Sequence, residues 1–598
     1  MTMPGRSRTP RAGRSAAGPA PKPIGSARRA QMITTYGVGS MIAIDDASWI
    51  VAGLEDWRPN TEQQVHEPRI QRALGVDYLY LPPAESAYFT AGLRRFPEFY
   101  SCQGSGNCNL LQPYWKFRAS DSKCPCGEGT LIPSRFVVAC DDGHLNDFPY
   151  RAWIHRGAKS GPCDQDMRMI TTGRTASLRS IQLVCGCGAK GSMEGAFRRS
   201  ELRQLGIKCY GGRPWLRGAA KVTGCERLPR TLQRGSSAAW FGIVRSSLAI
   251  PPWSTGLQRI IESRFEMWRD EDDATIERQA IKAKLVKGSV TVQHIIDAVR
   301  RREALEKGNP VPDQDLDLSL KREEYEQLCS PTVEEQTDEK PDFECRPAEA
   351  VPVPQLDQVM LVTRLREVRV LQSFTRVEPP GPADAESRRG ELSVGEMDWL
   401  PAMEVVGEGV FLRLSERRLT EWEERPEVRK RAAGIIGNHQ RLLDRRAEAA
   451  GKTAPVSPVT ARSIMIHTLA HLLVNEWSLD SGYPASAMRE RLYTSPEMAG
   501  ILIYTATSDS AGSLGGIVRQ GEPERLKHTL AAALRRAEWC STDPLCMEAD
   551  AAGSDSLNLA ACHACSLLPE TSCEHNNTLL DRGLVLGWPA EPELGFFS

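Results

Sequence analysis

No stretch of the 598-residue chain approaches the roughly 18 consecutive apolar residues that a membrane helix needs, which excludes an integral helical membrane protein. There is no excess of either charge: 75 Lys and Arg stand against 76 Asp and Glu, so the total says nothing about partners. Nor does an apolar core follow the basic start. The first 30 residues carry seven Arg and Lys, no acid, and many Pro, Gly, Ala and Ser, which is not a secretory leader. An organelle transit peptide, a disordered basic arm and an uninformative terminus all fit that composition. Without an export signal the expected compartment is the reducing cytoplasm. The 17 cysteines are then expected to be metal ligands before disulfides.

What is present is a long, globular composition, 41% hydrophobic and 25% charged. One core stops growing near about 250–300 residues, so several domains are expected. The pattern divides into a disordered basic tail (1–30), an N-terminal α/β segment (31–100), a zinc-binding basic region (101–235) and a helical region (236–330). An acidic linker (331–350), a mixed α/β segment (351–450) and a C-terminal zinc domain (451–598) complete it. Met32–Tyr36 and Met41–Ile44 read as strands around a Gly37–Ser40 turn. Leu257, Ile260, Ile261, Phe265 and Trp268 keep a helical stripe, as do Val292, Ile295, Ile296 and Val299. Val405-Val406, Val410–Leu412 and Ile501–Tyr504 read as strands, and 463–477 as a helix. The fold class is α+β and multidomain, with small zinc-stabilised modules among helical and mixed α/β segments.

Ten cysteines fall between 102 and 225 and five between 540 and 573. Structural zinc takes four Cys or His ligands tetrahedrally, so clusters that divide into fours carry the signal. Cys102, Cys108, Cys124 and Cys126 form one set. Cys185, Cys187, Cys209 and Cys225 form a second by their order in the chain, and Cys140, His144, His155 and Cys163 lie between as a mixed third. The last cluster offers Cys540, Cys546, Cys562, Cys565 and Cys573, five cysteines for four places, with His563 beside them. Closed four-ligand zinc folds a segment and does not catalyse, so the metal argues for a scaffold.

Residues 151–235 hold 17 Arg and Lys against five Asp and Glu, the electrostatic footprint of phosphate binding. Arg198, Arg199, Arg203, Arg213 and Arg217 suit bidentate phosphate contacts, and Trp215, Trp153 and Trp240 are placed to stack unpaired bases. The other reading is a solvated basic face that meets an acidic partner.

Enzyme motifs are weak. Gly451-Lys452-Thr453 ends like a phosphate-binding loop, but Arg446 stands where that motif needs glycine, so no intrinsic ATPase is expected. His467 and His471 lie one turn apart on a helix, with Thr468 where a zincin needs glutamate and Glu476 as a third ligand in principle. A metal-dependent nuclease or hydrolase using His467 and His471 is the alternative function. Gly512–Gly516 reads as a turn, or as a cradle of amides for a phosphate.

Several runs resemble a known family. They are Gln31–Ser40, Val51–Trp57, Arg135–Cys140, Gly143–Pro149, Gly212–Trp215, His467–His471, Leu514–Gly516, Cys562–Cys565 and Leu580–Arg582. The chain resembles DrmB proteins of the DISARM anti-phage system, over most of its length except the basic tail and 309–350. Its last third resembles the cysteine-bearing zinc domain of certain DNA-repair helicases, which normally uses four cysteines. The resemblance implies a non-catalytic, DNA-binding partner of the helicase DrmA that helps it engage phage DNA in antiviral defence. A heterodimer with that helicase is expected, and no membrane. No helicase motif is present, in keeping with that role.

Overall fold

The computed structural model describes residues 27–598 except 84–89, 105–107, 119–121, 157–162, 172–176, 252, 254, 263, 287–289, 308–312, 332–341, 381–387, 451–452 and 506–514. Most of the basic tail, half of the acidic linker and most of the Gly512–Gly516 turn lie outside the described residues.

A seven-stranded sheet organises the molecule. Its centre is an antiparallel pair of unusual length, Leu356–Thr375 against Trp399–Leu414, with Phe241–Leu248 and Phe343–Pro347 on one flank. Gly500–Thr505 and Met488–Tyr493 extend the other flank. Side chains alternate across this sheet as the two-residue period of a strand requires. Val410, Leu412, Ile501 and Ile503 face one core, while Phe411, Leu502 and Tyr504 face the other. The first core is capped by the helix Ala461–Ser481, 15 of whose 21 residues are buried.

Three sequence expectations change here. Val405-Val406 and Val410–Leu412 are one strand: the glycines between them admit the neighbouring chain, since a Cβ at Gly407 would meet the Thr505 carbonyl at 2.1 Å. Gln31–Thr34 is a helical turn, not a strand, because packing of Ile33 into the core with Leu371 and Phe374 overrides its β-branched neighbours. Phe343–Pro347, inside the stretch read as acidic linker, is a strand whose Phe343 is buried on the sheet.

The cysteine-rich region forms smaller sheets against the end of the long pair. A six-stranded sheet holds Phe99–Gly104, Gly129–Pro133 and Ile181–Cys185, and a three-stranded one pairs Phe136–Ala139 with Arg230–Gln233. Arg376 joins the small modules to the large sheet. Its buried guanidinium donates to the carbonyls of Gly39 (2.7 Å), Gly143 (3.0 Å) and Ala239, and lies over the rings of Trp215 and Phe374.

Candidate metal centres

Among the described residues five groups of four donors converge, each with its ligand atoms within 4.8 Å of one another. In the first, the strand Phe99–Gly104 carries Cys102 and pairs with Gly129–Pro133, just after the Cys124–Gly127 turn. Cys102 and Cys126 sulfurs lie 3.7 Å apart, Cys108 and Cys124 sulfurs 3.9 Å. Those separations are far beyond a disulfide bond. They match the edge of a tetrahedron with zinc–sulfur bonds of about 2.3 Å, roughly 3.8 Å.

The next eight donors are the expected eight, but the fours are different. Cys140, His144, Cys209 and Cys225 form one group, and His155, Cys163, Cys185 and Cys187 the other. Neither the set Cys185, Cys187, Cys209, Cys225 nor the set Cys140, His144, His155, Cys163 comes together; the second real site is nested inside the first in sequence. Strand pairing is the cause. Ala139 pairs with Arg230, which brings Cys140 to the Cys225 segment, while Cys185 pairs with Met167 beside Cys163. His144 Nδ1 lies 3.4 Å from the Cys140 sulfur and 3.6 Å from that of Cys209. His155 turns Nε2 toward Cys187 at 3.3 Å and bonds the Arg151 carbonyl through Nδ1 at 2.7 Å, the outer-shell contact that orients a ligating imidazole.

Backbone amides aim at the sulfurs. Gly211 N–H reaches Cys209 at 3.3 Å, and Gly211 has φ +62, a value its lack of a side chain permits. The amide of Glu128 draws the Cys126 thiol down to about 7, and that of Ala189 draws Cys187 to about 6. Both favour thiolate, the form that binds metal.

In the terminal cluster Cys540, Cys546, Cys562 and Cys565 converge, with sulfur separations of 3.5 Å (Cys540 to Cys562) and 3.8 Å (Cys546 to Cys565). Cys573, the fifth cysteine, joins His467, His471 and Glu490 instead. Glu490 was not legible as a ligand. Glu476 is no ligand in this geometry; its carboxylate accepts from Arg536 at 2.9 Å. Just after the Gly-rich turn, whose residues 512–514 lie outside the described residues, the Ile517 amide donates to the buried Glu408 carboxylate at 2.8 Å.

The basic candidates separate into two kinds. Arg198, Arg199 and Arg203 are exposed around the short helix Arg199–Gln204, whose Leu202 is buried. Arg199 makes a long contact with Asp141 at 3.5 Å; among the described residues Arg198 and Arg203 form no ion pair. Arg213 instead holds Glu391 and the Ala220 carbonyl, and the exposed Arg217 meets Asp56 at 3.2 Å. Trp215 is a correction: it is 1% exposed, donates to the Glu391 carbonyl at 2.8 Å and packs on Phe374, so it offers no face to a base. Trp153 is equally buried, and Trp240 is tied to the Val38 carbonyl. The exposed aromatics of the region are Trp115 (67%) and Tyr210 (48%). Trp215→Ala is therefore expected to cost about 3–5 kcal/mol of stability as a core truncation. The ratio of single-strand to duplex affinity should not change. Thermal melting and binding measured on one preparation check this.

The donor chemistry fits zinc, since thiolate-rich tetrads with imidazole are its usual structural shell. Comparison with known proteins agrees. Residues 469–566 match the family model of the MrfA Zn-binding domain, and 28–241 match a domain of unknown function, DUF8724. The chain is 30% identical over 562 residues to the DISARM protein DrmB of Bacillus paralicheniformis, covering 91% of this chain and 97% of that one. Zinc is the cofactor of this chain.

Proposed function

Because the chain belongs to the DrmB family of the DISARM defence system, we propose that it is an accessory subunit held together by zinc. In this role it binds DNA through backbone phosphates and docks on the DrmA-type helicase to engage phage DNA. The observation that carries the reading is identity to a DISARM DrmB along nearly the whole length of both chains. Two features support the DNA part. The 151–235 segment has a formal surplus of 12 positive charges (17 − 5), and its Arg198, Arg199 and Arg203 are exposed on a zinc-supported module. Zinc-knuckled loops and a helix of six residues present no long helix to a major groove, so the contacts are to phosphate and the binding is indifferent to sequence.

Each metal group supplies four protein donors, which suits structural zinc; catalytic zinc keeps a position open for water or substrate. The nuclease reading through His467 and His471 therefore loses its support, as both imidazoles are at most 1% exposed. The purified protein is expected to retard labelled DNA, to leave it uncut in the presence of divalent metals, and to co-purify with the neighbouring helicase. Robust cleavage by the protein alone would overturn the accessory role. Absence of DNA affinity even at low salt would leave a protein-only assembly factor.

A further inference from the structure

The geometry points to a fifth metal site: His467, His471, Glu490 and Cys573 hold a structural zinc ion that clamps the capping helix, the edge strand and the terminal loop together. His467 and His471 come from the helix Ala461–Ser481, Glu490 from the strand Met488–Tyr493, and Cys573 from the loop after the four-cysteine cluster. The matched zinc-domain region, 469–566, includes neither His467 nor Cys573, so this site is separate from the four-cysteine one.

Three independent features make it a metal site and not a packed polar cluster. First, the donor separations suit one ion. His467 Nε2 lies 3.1 Å from Glu490 Oε1 and 3.3 Å from the Cys573 sulfur, and His471 Nε2 lies 3.5 Å from Glu490 Oε1. A tetrahedral ion with bonds of about 2.0–2.3 Å sets its ligands roughly 3.3–3.8 Å apart; two of the three separations fall in that range and the His467–Glu490 one, at 3.1 Å, is slightly tighter. Second, the site is sealed yet unsatisfied. The side chains of His467, His471 and Glu490 are 0–1% exposed, and among the described residues His471 Nε2 and Glu490 Oε2 make no hydrogen bond. A buried carboxylate facing two imidazole nitrogens needs a cation, and no Lys or Arg ion pair to Glu490 occurs among the described residues. A divalent ion with one carboxylate, one thiolate and two neutral imidazoles is uncharged overall.

Third, the surroundings are built as around the other zinc groups. The amides of His575 and Asn577 both aim at the Cys573 sulfur at 3.3 Å, as Thr542 N–H does at Cys540 (3.4 Å) and Gly211 N–H at Cys209. His471 Nδ1 bonds the Ser566 carbonyl at 2.8 Å, which leaves Nε2 as the ligand nitrogen, and the Glu574 amide holds Glu490 Oε1 at 3.1 Å. The thiolate disfavours magnesium and calcium, and the closed mixed shell suits zinc. Ser566 also touches the Cys565 sulfur at 3.3 Å, so the two C-terminal metals share a neighbour.

Only the choice of metal rests on the zinc reading above. The test is zinc stoichiometry on the full-length protein, with cysteine alkylation mapped by mass spectrometry during stepwise chelation. Wild type is expected to carry five zinc ions, with Cys573 alkylated only as one of them leaves. Cys573→Ala should carry four and Cys573→His five. Four ions in the wild type, or a Cys573 alkylated at full metal content, overturns the site while leaving the other four groups intact. If Cys573→Ala does not fold, the wild-type count and alkylation order still decide.

Discussion

Cys565→Ser is expected to unfold the C-terminal segment and not merely to slow an activity. The residues that surround this zinc group, from Cys540 to Asp581, contain almost no regular secondary structure and only a small apolar core, chiefly Met547, Leu557, Leu559, Leu568 and Leu580. Their order comes from the metal and from polar anchors. Asp581 takes a bidentate contact from Arg431 (2.6 and 2.8 Å), and its amide donates to Thr468 at 3.0 Å. Buried Arg582 donates to the Ala537 carbonyl at 2.6 Å and pairs with Asp543. Structural zinc contributes apparent free energies of about 10–16 kcal/mol in small domains. That matches or exceeds the roughly 5–15 kcal/mol that separates a whole domain from its unfolded state. The expected readout is rapid proteolysis across 540–581, loss of at least one zinc ion, and a large drop in melting temperature. A variant as protected as wild type would show that these four cysteines do not hold a folding metal.

The nested pair of sites in the basic region gives the second large effect, and it is one of counting. Cys163→Ser and Cys185→Ser are expected to remove the same single zinc ion, alone or combined, because both belong to the His155 group. Cys185→Ser with Cys209→Ser should remove two ions, one from each group. Residues acting on one ligand shell are non-additive, whereas separate shells add. Metal analysis of the two double variants distinguishes the arrangements. One ion lost from the Cys185/Cys209 pair and two from Cys163/Cys185 would restore the grouping by order in the chain.

The contrast shows where sequence spacing carries structure. Cys102, Cys108, Cys124 and Cys126 are legible because Cys102 lies on a strand and the others in the short segments flanking strands that are close in the chain and paired in one sheet. The next eight donors are identifiable by type, but their partition depends on Ala139 pairing with Arg230, a contact that closes a long loop and leaves no local trace. The same holds for the fifth group: a one-turn histidine pair is visible on a helix, whereas Glu490 and Cys573 arrive from a strand and a distant loop. Trp215 is misjudged for a different reason. Flanking arginines suggest a binding face, yet Phe374 and Arg376 from the long strand and its continuation enclose the ring. The central strand looks broken at Gly407 and Gly409 because glycine usually interrupts strands; here the neighbouring strand presses so close that only glycine fits.

The claim that this is a zinc-supported DNA-binding subunit is tested most directly by salt dependence. Affinity for DNA of unrelated sequences is measured across a salt series, for wild type and for the Arg198→Ala, Arg199→Ala, Arg203→Ala triple variant at equal zinc content. The expected result is a linear fall of log K with log salt, near-equal for all sequences. In the variant affinity is lower, and the slope shallower by about 2 to 3 if each side chain neutralises one phosphate. An unchanged slope, with helicase co-purification lost instead, would contradict the account and assign this basic face to the partner protein.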